Sequence, residues 1–279
     1  MPLPVIVSIT TLPSRIGAMR PCLDSLLAGE VVADKILIPL PRFSKRESSA
    51  YEIPNFLRDD YAGRVEIVEA EDCGPGTKVL GALSRLAEPC YFIAADDDVR
   101  YKPRFLSGLL AAQRADHAAS FSNHTYRTGG LTVGQGCDGF SFYSPNLRGI
   151  DAFYRDHVAG TGLFYHDDLW LSFFLFLHGI AIKEPPRARS EGAVYEVVHH
   201  TNALHALSGD LARRQLNRRG LKALIGATKP GLGQRGRLEA LAAFDALVTS
   251  PARRLRRKVD QIRQAGRRRS ALPASESTE

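Results

Sequence analysis

Asp96-Asp97-Asp98 follows directly on an apolar run, Tyr91 to Ala95, and is the strongest chemical signal in the chain. Adjacent anions at the end of a buried segment repel one another unless a cation or solvent relieves them. A hard divalent ion with oxygen ligands, Mn2+ or Mg2+, suits such a set and would bridge it to phosphate oxygens. The competing reading is a solvated turn in which Asp97 or Asp98 caps the next helix.

Three further groups carry chemical potential. In Asp72-Cys73-Gly74-Pro75-Gly76-Thr77-Lys78, the glycines, Gly76 among them, would let backbone approach a phosphate at the head of a helix. Lys78 would sit in the first turn, where it could neutralise a diphosphate oxygen. The segment lacks the Gly-Lys-Ser/Thr of a Walker loop, and a tight turn is the bland alternative. His166-Asp167-Asp168-Leu169-Trp170 places two acids at the positive end of an apolar helix. Either acid could remove a proton from an acceptor hydroxyl, and Asp167 reads equally well as an N-cap. His199, His200 and His205 cluster late in the chain. One of them, with His205 preferred, would complete a metal shell, against the ordinary fate of a core or surface histidine.

Those residues need a scaffold that gathers them. Val5 to Thr10, Lys35 to Leu40, Val65 to Ala70 and Tyr91 to Ala95 read as buried strands. Helices are predicted from Pro21, over Thr77–Ala87 and from Pro103, with residues 42–64 as a long loop holding a short helix. Strand–helix alternation of this kind predicts an α/β fold, a mostly parallel sheet with helices on both faces. Ligands collect outside the carboxyl ends of such strands, where the Asp72 turn and the aspartate triplet both fall. After residue 118, short strands at Ala118–Asn123, Leu131–Gln135 and Gly139–Tyr143 precede a helix over Asp167–His178. Strands near Ile180–Lys183 and Ala193–Val198 follow. This half reads as an α+β cap for the acceptor. Residues 206–250 read as a helical extension broken at 228–233, and 251–279 as a basic helix with a disordered end. Trp170, Phe173, Phe174 and Phe176 read as core, while Tyr126, Phe140, Phe142 and Tyr143 are candidates to stack on a sugar.

With these motifs in order, the chain resembles the GT-A fold glycosyltransferases, especially bacterial family-2-like enzymes. The matching parts are Val7 to Ile16, Gly74 to Lys78, Ala94 to Val99 and Asp167 to Ser172. They span residues 5–172, and with the cap the GT-A domain would cover 1–205, a nucleotide half of about 1–117 and an acceptor half of about 118–205. The resemblance implies transfer of a sugar from a nucleoside-diphosphate sugar to an acceptor hydroxyl, with Mn2+ or Mg2+ as cofactor. It implies that Asp98 and Asp96 hold the metal, Asp96 also lying near the ribose or sugar, with Asp97 beside them. Thr10, Thr11, Pro13 and Arg15 would line the nucleotide pocket, Asp72 would sit near the base, and Lys78 would approach the phosphates. Asp168, or failing that Asp167, would be the catalytic base, and inversion at the anomeric carbon would follow. Two departures stand out: Asp72-Cys73-Gly74-Pro75 replaces the usual Asp-Gly-Ser turn, and Asp167 stands where Glu is common.

Composition narrows the setting. The 279 residues carry a net charge of +7, but Pro251 to Arg269 holds nine basic residues and one acid. Residues 1–250 have 28 basic and 27 acidic side chains, so the body is nearly neutral and nucleic acid is not an expected partner. Four scattered cysteines form no CxxC pair, which fits reduced thiols in the cytoplasm. No leader is read at the start, and the longest apolar stretch, Leu169 to Leu177, is far short of the ~20 residues a span needs. Leu255, Val259 and Ile262 share one helical face of the basic tail, which would hold the enzyme on an anionic surface, the inner face of the plasma membrane, near a saccharide or lipid-linked acceptor. The resemblance places such an enzyme in cell-envelope polysaccharide or lipopolysaccharide synthesis. Two rivals remain. A sugar nucleotidylyltransferase would also need a metal and a phosphate turn, though no basic glycine loop stands beside the first strand. A non-enzymatic module binding through the tail would leave the acidic triplet unexplained.

Overall fold

The computed structural model describes residues 2–186, 193–198 and 210–248. The chain begins with β1 (Val5–Ile9), a β-branched run whose Val7 and Ile9 are fully buried. Helix α1 (Arg20–Leu27) takes Pro21 in its first turn and buries Cys22, Leu23 and Leu26. Strand β2 (Lys35–Leu40) follows. Within the expected long loop, a hairpin forms from β3 (Phe43–Ser44) and β4 (Ser49–Ala50), ahead of the one-turn helix α2 (Phe56–Asp59). After β5 (Val65–Glu69), helix α3 (Thr77–Leu80) is shorter than its sequence pattern predicts. The chain turns at Gly81, whose missing Cβ lets it press on Pro39 and Ala70; a Cβ there would lie within 2.6 and 2.7 Å of theirs.

Strand β6 (Tyr91–Ala95) is followed at once by β7 (Val99–Tyr101) and then by α4 (Phe105–Ala115). The second half supplies β8 (Ala119–Ser122), the hairpin β9 (Thr125–Thr128) and β10 (Leu131–Gly134), and β11 (Phe140–Tyr143). Helices α5 (Ile150–His157) and α6 (Asp167–Leu177), strands β12 (Ala181–Lys183) and β13 (Tyr195–Val197), and helices α7 (Asp210–Thr228) and α8 (Leu232–Val248) complete the order. The β9–β10 loop is the pair Gly129-Gly130, both with positive φ, the geometry that matches the twist of a two-residue hairpin.

Seven strands form the central sheet in the order β12-β8-β11-β6-β1-β2-β5. All run the same way except β11, which is antiparallel to both β6 and β8. The sheet therefore does not end with the first half: β8, β11 and β12 extend it. Successive residues of β6 point to opposite faces, as the pleat requires. Tyr91, Ile93 and Ala95 join the core under α1 and α4, while Phe92 and Ala94 join the one built by α5, α6 and α7. Helices thus cover both faces, the mostly parallel α/β arrangement predicted. The extension packs into it, with α7 against α6 and β9, and α8 against β10.

Phe140 and Phe142 are buried in β11, so neither is available to a sugar. Tyr143 stacks on His117 at 4.4 Å, and Tyr126 accepts a hydrogen bond from Asn217. Trp170, Phe173 and Phe174 are core, as expected. Among the described residues no helix is long and apolar enough to cross a membrane.

Candidate active site

The sheet order creates a place for ligands. From β1 the chain winds outward through β2 to β5, then returns to lay β6 on the other side of β1. The loops leaving β1 and β6 therefore part in opposite directions, and such a switch point opens a crevice at the carboxyl edge. Thr11, just after β1, donates through Oγ1 to Asp97 Oδ2, just after β6, and ties the two loops together. Arg15, on the same β1 loop, reaches Asp97 Oδ1 at 2.8 Å and Asp98 Oδ2 at 2.9 Å.

The backbone of the triplet is held from beneath. Tyr101 Oη accepts the Asp96 N–H at 2.9 Å and lies 3.3 Å from the Asp96 carbonyl, which also receives the Cys22 thiol. Tyr101 is placed in turn because its N–H donates to Ser25 Oγ on α1. With the main chain so anchored, Asp96 turns its carboxylate to Lys78, Nζ to Oδ1 at 2.7 Å. Lys78 also lies 3.1 Å from Asp167 Oδ2, an ion-pair contact outside hydrogen-bonding geometry. The buried lysine thus joins the triplet to the acids heading α6. Asp168 Oδ1 accepts the Gly136 N–H at 3.0 Å, which fixes that carboxylate at the edge of the cleft.

The cleft lining includes Thr10, Thr11, Arg15, Asp72, Lys78, Asp96, Asp97, Asp98, Asp167 and Asp168. The cleft is partly open to solvent at its mouth. Six carboxylates line it against three cations, Arg15, Arg46 and Lys78. That excess shows in the acids. Burial pushes Asp97 up to about 6, against the pull of Arg15 and Thr11. Asp98 is raised by burial and by Asp96. Asp168 is pushed up to about 8 by burial and by Asp167, with Lys78 and the Gly136 N–H opposing. Burial works against the charge on Lys78, but Asp167, Asp96 and Asp168 outweigh it, so the ammonium persists.

A divalent ion fits this chemistry, since hard carboxylate oxygens in net negative surroundings are what Mn2+ and Mg2+ take. No ready-made cage of three His, Cys, Asp or Glu side chains exists among the described residues. Asp96 faces Lys78 while Asp98 faces Arg15, so each of these carboxylates is already paired with a cation. His199, His200 and His205 lie outside the described residues, as does the basic tail 251–279.

Two expected contacts fall outside the lining. Pro13 sits in the turn that Arg15 closes by donating its N–H to the Leu12 carbonyl. Gly76 is buried, and a Cβ there would meet Trp170 at 2.5 Å, so its role is close packing of α3 on α6. Gly76→Ala should therefore cost about 1–3 kcal/mol in a urea melt through overpacking; an unchanged midpoint would return the glycine to the phosphate turn. Asp72 ties its own turn to the β3–β4 hairpin, accepting the Gly74 N–H at 2.8 Å and the Lys45 N–H at 2.6 Å.

Several lining residues had no local signal. Tyr51 donates to the Thr11 carbonyl at 2.8 Å from the end of the β3–β4 hairpin. Tyr195 and Val197 arrive because β13 pairs antiparallel with β7, laying Val197 opposite Val99 beside the triplet. Tyr165, 40% exposed, also lines the cleft, and none of Tyr126, Phe140, Phe142 and Tyr143 is part of that lining. An aromatic just before the Asp167-Asp168 pair was the one clue to Tyr165.

No protein-family model matches the chain, and no curated protein matches it in sequence. Solved structures do. Mannosyltransferase PcManGT from Pyrobaculum calidifontis, in complex with GDP-Man and Mn2+, superposes with a TM-score of 0.52 at 15% identity, over 91% of this chain and 83% of that one. At that identity the likeness concerns the fold, and the fold of this chain is of the Rossmann-like GT-A glycosyltransferase type.

Proposed function

We propose that this chain is a metal-dependent glycosyltransferase that moves a sugar from a nucleoside-diphosphate donor to an acceptor hydroxyl. The observation that carries the reading is the convergence of Asp96, Asp97, Asp98, Asp167 and Asp168 on one cleft at the switch point. A solvated turn does not need Thr11, Arg15 and Lys78 to bind its acids in place. The fold likeness to a mannosyltransferase holding GDP-Man and Mn2+ supports the same reading and makes GDP-mannose the first donor to test.

Asp98 and Asp96 would hold the metal, which when bound offsets the charge on the departing diphosphate. Lys78 keeps its charge at the base of the cleft and supplies a fixed positive point for phosphate oxygens. Arg15 holds Asp97 and Asp98 in register and is the second cation within reach of a diphosphate. Thr10 and Thr11, with Asp72 farther along the edge, form the wall on which a nucleotide would lie. Asp168 Oδ2 would take the acceptor proton, its geometry set by the Gly136 N–H on Oδ1. A single base facing the donor's anomeric carbon implies inversion. Tyr165, Tyr195 and Val197 give a saccharide a face to pack on. A bacterial family-2-like enzyme acting in envelope polysaccharide synthesis is the narrower form of this proposal, resting on the motif order alone.

The test is thermal stability against a panel of nucleoside diphosphates with and without Mn2+. One base should stabilise the protein, and only with metal. No shift with any nucleotide would sink the transferase reading.

A further inference from the structure

The helical extension carries a face that sugar transfer does not use. From Gln215 to Leu238 the chain holds six cations, Arg218, Arg219, Lys222, Lys229, Arg235 and Arg237, and no acid. Helix α7 buries Asn217, Leu221 and Leu224, and Asn217 Nδ2 donates to Tyr126 Oη at 3.0 Å, which fixes its rotation. Arg218, Arg219 and Lys222 then lie within a turn of one another on the outer side, Lys229 follows the helix end in the α7–α8 turn with a positive φ, and all four are exposed. Among the described residues, the ion pair formed by the extension is Arg127 on β9 with Asp245 on α8, and it involves none of these cations. Apolar side chains project beside the cations. Leu216 is 41% exposed, one turn from Arg219, and Leu232 is 89% exposed, three residues after Lys229.

We propose that the outer face of α7 and the α7–α8 turn dock on an anionic lipid surface. Cations spread along one helix face suit negative headgroups, and a leucine standing in solvent beside them gains by entering the acyl boundary. A nucleic acid would engage the cations but offers nothing to Leu232. The placement also serves the cleft. A Cβ on Gly220 would come within 2.7 Å of Leu169, the residue after Asp168, so α7 lies directly on the first turn of α6. The docked face is then about one helix diameter, roughly 10 Å, from the acids that head α6. Lipid binding at this face does not depend on the transferase reading, and it is distinct from any role of residues 251–279.

The full-length protein is tested on phosphatidylcholine vesicles with and without phosphatidylglycerol. Trp170 is the sole tryptophan and is fully buried, so Leu232→Trp introduces a clean fluorescent reporter. Its emission should shift to the blue with the anionic vesicles alone, and the shift should reverse at high salt. The combined Arg218→Glu, Arg219→Glu, Lys222→Glu variant should bind those vesicles at least about tenfold more weakly. Silent emission from Leu232→Trp would overturn the proposal, because the tail would then be doing any binding. So would a smaller loss in the charge-reversal variant, or duplex DNA producing the same blue shift.

Discussion

Replacing Asp168 with Asn is expected to lower kcat by about 10²–10⁴-fold, the usual contribution of a positioned general base, with little change in donor binding. The amide oxygen can still accept the Gly136 N–H, so the first turn of α6 should keep its geometry. What disappears is the site that takes the proton. Asp167→Asn is the contrast, because Asp167 faces Lys78 rather than Gly136. It removes half of a buried ion pair, so it should act on stability more than on the chemical step. A larger kcat loss from Asp167→Asn would move the base to that residue. Binding of the nucleoside diphosphate to the Asp168→Asn variant, measured by calorimetry, separates a lost base from a lost site.

Asp168 also sets a pH dependence. Its carboxyl is pushed up to about 8, far above the roughly 3.9 of an unfolded aspartate. The folded state therefore holds the proton more tightly than the unfolded one. Its contribution to stability is full below about pH 4 and is lost as pH rises through about 8. The rate should move oppositely, rising with pH as the base loses its proton. In ligand-free protein, melting temperature should fall between about pH 4 and 8, the span of the two pKa values, and Asp168→Asn should flatten that fall. A fall of equal size in the variant would assign it to other groups.

Asp98→Ala should erase metal-dependent stabilisation by the nucleotide. At a ligand concentration of about 100 Kd, binding adds roughly 2.7 kcal/mol, which at this chain length raises the melting temperature by about 5–10 °C. The variant should lose that rise while keeping its own melting temperature near the parent's. Removing Asp98 relieves repulsion with Asp96, and Arg15 retains Asp97 at 2.8 Å. Intact basal stability with a vanished Mn2+ response marks a lost ligand rather than a damaged fold. A response that survives would place the metal elsewhere.

Much of this arrangement is local and hence readable along the chain. β6 begins and ends where its apolar run does, and β2 adds only Lys35 to its own, because a buried central strand is apolar on both faces. Parallel strands put their carboxyl ends on one edge, so the triplet after β6 and the turn after β5 had to share it. Acids at the head of α6 follow from the helix's own polarity.

Other features depend on residues far apart in the chain, where local pattern is silent. Arg15 meets Asp98 across 83 positions and Gly136 meets Asp168 across 32. The pairing of β13 with β7 brings Tyr195 to the cleft only because the sheet has already set where β7 lies. β11 is buried on both faces, Ser141 as well as Phe140 and Phe142, and nothing in its residues announces that it enters antiparallel between β6 and β8. Gly76 shows the limit most plainly: a glycine before a helix reads as room for a phosphate, and only the fold reveals that a Cβ there would strike Trp170, 94 residues on. Residue types and short spacings determined which chemistry was on offer. Long-range packing, which decides what each side chain faces and how much water it loses, determined which of those groups were brought together and with what charge.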